Sequence, residues 1–214
     1  MKENIYQALM EVGAQTQDLL SKKQAARELT LPLSRKIIQF SANSIRYSHR
    51  GEFKEARRLI NEASKMLEEI YRQLDVYKEI FFAGFLQDSQ KEYVEAIVFL
   101  AFAEGTKFPK PKDLGIDLPP YLNGLGESVG ELRRYILDAL RRDDLSRCEE
   151  LLGIMDEIYS LLVTVDYPDA LTRGLRRTTD MVRGILERTR GDLTMSFRQR
   201  ELESKLTALE NQTK

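Results

Sequence analysis

The sequence is poor in the residues on which most catalytic and metal-binding motifs are built. It contains one cysteine, Cys148, one histidine, His49, and no tryptophan. A lone cysteine excludes an intramolecular disulfide and a cysteine-based zinc cluster. With a single histidine, the chain cannot form the two Glu-x-x-His pairs that bind metal in di-iron helical bundles. Neither a P-loop nor a dinucleotide-binding glycine pattern occurs. These absences argue against several large classes of enzyme.

The chain also lacks long apolar runs and flexible linkers. No stretch reaches the roughly 18 apolar residues of a membrane span, and Met1-Lys2-Glu3-Asn4 begins no signal peptide, so we expect a cytoplasmic protein without membrane contact. Because no Gly/Ser-rich or Pro-rich linker divides the chain, we expect one domain, residues 1–214. Apolar residues make up 42% and charged residues 31%, with Leu, Glu, Arg and Ala dominant, which is typical of an all-α protein.

The apolar spacing predicts an all-α, single-domain antiparallel bundle of about six or seven helices. Residues 1–32 are weakly periodic, and we expect one or two short helices that end at Pro32, before a new helix capped by Ser34. The proline-rich segment 106–120 is predicted to be irregular, and the polar tail 201–214 to be frayed or used in assembly. The main helices are predicted from Ser34 to about His49, Glu52 to about Asp75, about Val76 to Glu104, Tyr121 to Arg142, Leu145 to about Val165 (capped by Asp143-Asp144), and about Leu171 to Arg200.

Charge is segregated along the chain, although the formal net charge is only −1. Residues 31–60 carry a balance of +5 and residues 171–200 another +5, whereas residues 61–105 carry −5. Local fields, rather than net charge, select charged partners. Basic flanks around an acidic centre would suit a polyanion that is held by the flanks while metal ions occupy the centre.

The most informative stretch runs from Gln90 to Ala103 and has no polar side chain after Glu95. A segment that is apolar on every side and free of Pro and Gly predicts a buried helix. Glu92 and Glu95 lie on one face of that helix, where two ionised carboxylates repel each other unless a cation lies between them. The alternative is a solvated edge where the helix leaves the core, because Glu-x-x-Glu spacing is common in helical chains.

A second pair of carboxylates, Glu127 and Glu131, follows on the predicted helix from Tyr121 to Arg142. This helix contains three glycines, and each costs roughly 1 kcal/mol relative to alanine in a helix interior. Gly126 and Gly130 are four residues apart on one face, which predicts that another helix packs unusually close there.

The two pairs could converge across a helix interface into a cluster of up to four carboxylates. Clusters made only of oxygen ligands favour Mg²⁺ or Mn²⁺. Such a cation activates water and neutralises the charge that builds on phosphate oxygens during phosphodiester hydrolysis. The four candidate metal ligands and catalytic residues are Glu92, Glu95, Glu127 and Glu131.

The stretches Glu92–Phe99 (EYVEAIVF) and Tyr121–Leu132 (YLNGLGESVGEL) resemble the translin family, specifically its Trax branch. The resemblance extends from about Leu33 to Arg200. Trax is the Mg²⁺-dependent endoribonuclease partner of translin, in an all-helical family whose hollow oligomers enclose RNA. The resemblance implies that the four glutamates form the metal site, with Glu127 in place of the family's aspartate. It also suggests a prokaryotic, archaeal chain that assembles with itself.

The resemblance therefore predicts an Mg²⁺-dependent endoribonuclease that cuts single-stranded or short RNA. Two alternatives stay open. The first is a non-catalytic, translin-like oligomer that binds RNA or single-stranded DNA. The second is an all-α nucleoside-triphosphate pyrophosphohydrolase, although the second motif of that family is normally Glu-x-x-Asp and not Glu127-x-x-x-Glu131.

RNA binding is expected to come from the basic segments, which would hold phosphates without reading sequence. The alternative role for these side chains is a solvated face. The candidate RNA-binding residues are Arg35, Lys36, Arg46, Arg50, Arg57, Arg58, Arg173, Arg176 and Arg177. His49, remote from both glutamate pairs in sequence, is expected to be a surface capping or RNA-contacting residue and not a catalytic one.

Apolar residues beyond the needs of one small bundle suggest a partner surface. They lie in the stretch Phe81–Leu86 and at Phe102. We expect them to support assembly of identical subunits into a closed hollow oligomer, such as an octamer, around the RNA.

Overall fold

The computed structural model of the protein describes residues 2–75, 77, 80 and 84–212. Within these residues the backbone forms eight α-helices and no β-strand, which confirms the all-α prediction. Two of the helices, α4 and α7, have only four residues each. No helix in the described ranges is long and apolar enough to cross a lipid bilayer. The helices are α1 (Lys2–His49), α2 (Phe53–Leu74), α3 (Gly84–Glu104), α4 (Pro111–Leu114), α5 (Leu118–Arg141), α6 (Cys148–Val163), α7 (Asp169–Thr172) and α8 (Leu175–Gln212).

Helix α3 packs against α1, α2 and α5. In turn, α5 packs against α6 and α8, which also contact each other. Tyr93, Val94 and Ala96 point in different directions from α3, yet each is no more than 3% exposed. This confirms the prediction of a helix that is buried on every side. On this helix, Glu92 and Glu95 lie close to Glu127 of α5.

The first helix, α1, is continuous over 48 residues, so the predicted break at Pro32 and the predicted cap at Ser34 are both wrong. A proline inside a helix removes one backbone hydrogen bond and costs roughly 3 kcal/mol. The buried side chains of Ala26, Thr30, Ser34 and Ile37 follow helical spacing before and after Pro32. We attribute the continuity of the helix to this burial. The Ser34 hydroxyl is buried without a hydrogen-bond partner among the described residues, so it caps nothing.

The start of α3 and the proline-rich segment after it also differ from the prediction. α3 begins at Gly84 and not near Val76, which lies outside the described residues. Tyr77 is described and is not helical. The segment predicted to be irregular contains one short helix, α4, which Pro111 begins and Gly115 ends in the left-handed conformation that glycine adopts without strain.

Further boundaries also differ. Helix α5 begins at Leu118 and not at Tyr121, the last predicted helix is divided into α7 and α8, and the start of α6 and the end of α8 are shifted. Helix α6 begins at Cys148 because the Asp144 carboxylate accepts hydrogen bonds from the backbone amide and the hydroxyl of Ser146. These bonds form a turn ahead of the helix. Helix α8 continues to Gln212, so the polar tail is helical to that residue, and its use in assembly stays a prediction.

Two glycines let α5 approach its neighbours closely. A Cβ atom at Gly124 would lie 2.5 Å from the backbone oxygen of Lys91 in α3. A Cβ atom at Gly126 would clash with Thr178 in α8, which confirms the close packing predicted for this position. The same prediction is wrong for Gly130, where a Cβ atom would meet only an ordinary contact at 3.9 Å. The contact at Gly124 sets the spacing of α3 and α5 beside the carboxylates.

Candidate metal centre

Helices α3 and α5 bring three acidic side chains together. Glu92 and Glu95 lie one turn apart on α3, and Glu127 approaches them from α5. One carboxylate oxygen from each residue lies within 4.8 Å of the others, and all three residues are partly buried. In the part of the chain that the structure describes, no other acidic, histidine or cysteine side chains form so close a group of three. We call Glu92, Glu95 and Glu127 the carboxylate triad.

Burial and mutual repulsion disfavour the ionised forms of the triad. Burial, together with the charges of Glu127, Glu92 and Glu131, raises the pKa of Glu95 to about 8. Burial and the charge of Glu127 also raise the pKa of Glu92. A divalent cation between the carboxylates would offset this repulsion, and oxygen ligands are those that Mg²⁺ and Mn²⁺ prefer. The donor set of the triad therefore fits a hard divalent metal ion.

A lysine that was not predicted as a site residue lies against the triad. The Lys91 ammonium donates a hydrogen bond of 2.8 Å to Oε1 of Glu127, and both side chains are 27% exposed. Burial opposes the charge on Lys91, but the hydrogen bond and the charge of Glu127 outweigh it and raise the pKa of the lysine. Lys91 thus neutralises part of the negative charge. The sequence signal for it was only its position next to Glu92, because its partner lies on another helix.

The fourth predicted carboxylate, Glu131, lies outside the triad and contacts His49 at the end of α1. Nε2 of His49 is 2.5 Å from Oε2 of Glu131, and Nη1 of Arg134 is 3.8 Å from the same oxygen. The His49 side chain is only 5% exposed, and its ring packs against Phe99 with centroids 4.6 Å apart. The prediction of His49 as a surface capping or RNA-contacting residue is therefore wrong.

Glu131 is nevertheless close enough to affect the triad. Its charge is one of the causes of the raised pKa of Glu95. The four predicted glutamates thus share one acidic region, but only three of them are close enough together to share one metal ion. The spacing on α5 predicted that Glu131 follows one turn after Glu127, but it could not show that Glu131 contacts His49 and not the other three glutamates.

Three of the predicted RNA-binding arginines gather where α1 meets α2. Arg46, Arg50 and Arg58 line a surface depression of about 390 Å³ together with Asn43 and Tyr47. Arg46 donates a hydrogen bond of 2.6 Å to Asn43. Arg50 immediately follows His49, which contacts Glu131, so this depression is adjacent in sequence to the acidic region.

The other predicted RNA-binding residues lie elsewhere. Arg57 pairs with Glu104. Arg35 and Lys36 are exposed and lie earlier in α1 than Arg46. Arg176 and Arg177 line a second depression of about 1130 Å³ formed by α6, α7, α8 and the turns between them. Arg173 ends α7 in the left-handed conformation. The basic residues therefore divide between at least two regions of the surface.

Comparison with known proteins places this arrangement in a family. No protein-family model matches the chain. An uncharacterised protein from Methanocaldococcus jannaschii is 36% identical over 176 residues, which span 81% of this chain and 78% of that protein. The structure of AfC3PO in a complex with duplex RNA superposes with a TM-score of 0.81 and 35% identity, over 87% of this chain and 96% of that one. The chain belongs to the translin/C3PO family.

Two other structures agree with that assignment. The crystal structure of AfC3PO superposes with a TM-score of 0.75 and 33% identity, over 87% of this chain and 97% of that one. Apo-NeC3PO is 21% identical, with a TM-score of 0.73 over 88% of this chain and 96% of that one, and so supports the fold alone.

Proposed function

We propose that this translin/C3PO chain is a divalent-metal-dependent endoribonuclease of the Trax-like branch. Its substrates would be single-stranded or short RNA, and Mg²⁺ or Mn²⁺ its metal. The observation that carries this proposal is the triad, because three partly buried carboxylates with one oxygen each within 4.8 Å of the others are a ligand set for a hard cation. The origin that best fits the relative from Methanocaldococcus jannaschii is archaeal.

Each acidic residue would have a definite part in this chemistry. Glu92, Glu95 and Glu127 would hold the metal, and Glu131 would complete the cluster or position the attacking water. A metal ion at the triad would supply Lewis-acid stabilisation of the phosphate and a bound water of lowered pKa. Lys91, which pairs with Glu127 at 2.8 Å, would limit the net negative charge facing an incoming phosphate.

RNA binding by the basic residues is supported by the AfC3PO relative, whose structure was solved with duplex RNA. The depression lined by Arg46, Arg50 and Arg58 combines three guanidinium groups with the Tyr47 ring. Guanidinium groups contact phosphate oxygens, and an aromatic ring stacks on an unpaired base. Single-stranded DNA would share the phosphate contacts but not those to the 2′-hydroxyl.

We also propose self-assembly into a closed hollow oligomer, such as an octamer. The apolar surface that supports it differs from the one predicted, since Leu86 is fully buried within the subunit and Phe81–Ala83 lie outside the described residues. Phe102 stacks on Phe108, with ring centroids 5.6 Å apart. Exposed apolar side chains lie instead near the two chain ends, at Ile5, Leu9 and Val12 of α1 and at Met195, Leu202 and Leu206 of α8.

The test is a comparison of substrates with and without metal. The purified protein is incubated with labelled single-stranded RNA, short duplex RNA, single-stranded DNA and nucleoside triphosphates, each with Mg²⁺ or with chelator. We expect internal cleavage of RNA in the presence of Mg²⁺ and no cleavage in the presence of chelator. RNA binding without cleavage would favour the non-catalytic oligomer, and hydrolysis of nucleotides would favour the pyrophosphohydrolase.

Variants of the triad test which residues carry the activity. Glu92→Gln, Glu95→Gln and Glu127→Gln should each abolish cleavage but keep the fold and RNA binding, because amides preserve volume and remove charge. Glu149→Gln, exposed on α6, is the control and should cleave normally. Wild-type rates in all three triad variants would contradict the assignment, and loss of the folded state in all three would favour a structural role.

A further inference from the structure

We propose that His49 is a positioning residue, which holds the Glu131 carboxylate beside the triad so that it orients the water attacking the phosphodiester. This inference rests on the proposed nuclease function. The acidic residues would then have different roles: the triad would bind the metal ion, and Glu131 would contact the attacking water. His49 itself would touch neither metal nor RNA.

The geometry around His49 is that of a fixed side chain. Its Nε2 atom lies 2.5 Å from Oε2 of Glu131, and the imidazole is 5% exposed. The ring packs between Phe99, at 4.6 Å between centroids, and Tyr135, at 6.3 Å. These two rings also contact each other edge to face at 6.1 Å. Rotation of the imidazole away from Glu131 would displace this aromatic packing.

The other ring nitrogen indicates which tautomer is present. Nδ1 of His49 is buried and has no hydrogen-bond partner among the described residues. If Nδ1 carried the proton, a buried donor would lack an acceptor while a bare Nε2 lone pair faced the carboxylate. With the proton on Nε2, the short contact becomes a hydrogen bond donated to Glu131 and only an acceptor is left unpaired. The Nε2–H tautomer is therefore the one that fits.

The unpaired Nδ1 argues against a role in packing alone. A buried polar atom without a partner destabilises the folded state, whereas phenylalanine would fill the aromatic site without leaving such an atom. The compensating interaction is the bond to Glu131. Residues that hold an active-site carboxylate in this way commonly change activity by about 10–100-fold when they are replaced.

Among the described residues, both ion pairs of Glu131 are made through the same carboxylate oxygen, Oε2. His49 and Arg134 both approach Oε2, and the guanidinium is 57% exposed and as far as 3.8 Å away. Oε1 is the oxygen that can accept a hydrogen bond from water. Because Glu131 lies one helical turn after Glu127 on α5 and outside the triad, that water would lie between the Glu131 carboxylate and the triad.

The activity test compares two substitutions of His49. His49→Phe fills the aromatic site but removes the donor, and we expect the single-turnover cleavage rate to fall about 10–100-fold. KM for RNA and affinity for Mn²⁺ should stay within about twofold of wild type, because the triad and the basic surface are intact. His49→Gln, which keeps an N–H donor, should recover most of the rate. In a Glu131→Gln background, His49→Phe should cause no further loss.

A second readout does not depend on activity. His49 is the sole histidine of the chain, so the imidazole ¹⁵N signals of labelled protein report on this residue alone. We expect the Nε2–H tautomer, with a strongly hydrogen-bonded proton whose signal shifts in Glu131→Gln.

The outcomes separate the two proposals. A wild-type protein that does not cleave RNA would refute the nuclease function. The ¹⁵N signals would still show whether His49 donates a hydrogen bond to Glu131. An active wild type with an equally active His49→Phe would overturn the positioning role. The Nδ1–H tautomer, or signals that do not respond to Glu131→Gln, would overturn the hydrogen bond itself. If His49→Phe does not fold, the ¹⁵N signals of wild type and of Glu131→Gln still decide.

Discussion

Among single residues, Glu95 shows the largest conflict between burial and charge in the acidic region. Burial and three neighbouring carboxylates raise its pKa from 4.5 to about 8. A carboxyl group whose folded pKa is raised stays protonated in the folded state while the unfolded chain loses the proton. The contribution of Glu95 to stability is therefore most favourable below about pH 4.5 and declines as the pH rises towards 8.

This conflict predicts a pH-dependent stability that depends on one side chain. In chelator, the melting temperature of wild type should fall between about pH 4.5 and 8, while Glu95→Gln should show a flatter profile and melt higher at pH 8. Mg²⁺ should raise the melting temperature of wild type at pH 8 more than that of the variant. Thermal unfolding across this range checks the expectation, and parallel profiles for the two proteins would contradict it.

At the scale of the helices, the close crossing of α3 and α5 determines where the triad forms. A Cβ atom at Gly124 would lie 2.5 Å from the Lys91 backbone oxygen, which cannot move without shifting α3. Asn123, one residue earlier, donates to the Thr172 carbonyl at 3.0 Å and accepts from Thr178 at 2.6 Å. The start of α5 is therefore fixed from two directions, by α3 and by the α7–α8 segment.

Two glycine substitutions on α5 test this crossing and control each other. Gly124→Ala should destabilise the protein by about 1–3 kcal/mol through overpacking and weaken Mn²⁺ binding, because α3 and α5 must separate. Gly130→Ala adds a Cβ atom at an ordinary distance of 3.9 Å and should stabilise the protein by up to about 1 kcal/mol. Denaturant unfolding measures both changes. Equal effects of the two substitutions would contradict a special contact at Gly124.

Sequence patterns predicted the helices more reliably than their contacts. The helices α2, α3 and α5 and the segregation of charge along the chain could be predicted because they depend on local sequence. The continuity of α1 through Pro32 could not be predicted in this way, because the burial of Ala26 and Ile37, which offsets the cost of the proline, depends on other helices. In the site, the i, i+3 spacing of Glu92 and Glu95 indicated their common face. The pairing of His49 with Glu131, 82 residues apart, has no local signature.

For the whole molecule, the basic surface should control RNA affinity through counterion release. Arg46 and Arg50 line one depression, so the double substitution of both by glutamine should reduce the slope of log affinity against log salt by roughly 1–2 units. Arg72 and Arg198, which are exposed and each paired with an acidic residue, provide the control pair. Filter binding across a salt series measures the slopes. An unchanged slope would assign Arg46 and Arg50 to a solvated face.

The proposed assembly predicts the mass of the particle in solution. Light scattering at micromolar concentration should give a multiple of 24.8 kDa, and replacing Leu202 and Leu206 by glutamine should lower it, because both are more than half exposed on the subunit. Val163→Gln, at another exposed apolar position, is the control. A mass near 24.8 kDa with full RNA-cleaving activity would rule out a hollow assembly.

The most direct test of the account is the position of the metal. Crystals of wild type and of Glu95→Gln are soaked in Mn²⁺ at a concentration that supports cleavage, and anomalous diffraction then locates the ion. We predict one or more Mn²⁺ ions in wild type within bonding distance of oxygens from Glu92, Glu95 and Glu127, and a much weaker signal in the variant. Strong anomalous density elsewhere, with none at the triad in an active crystal form, would contradict the account.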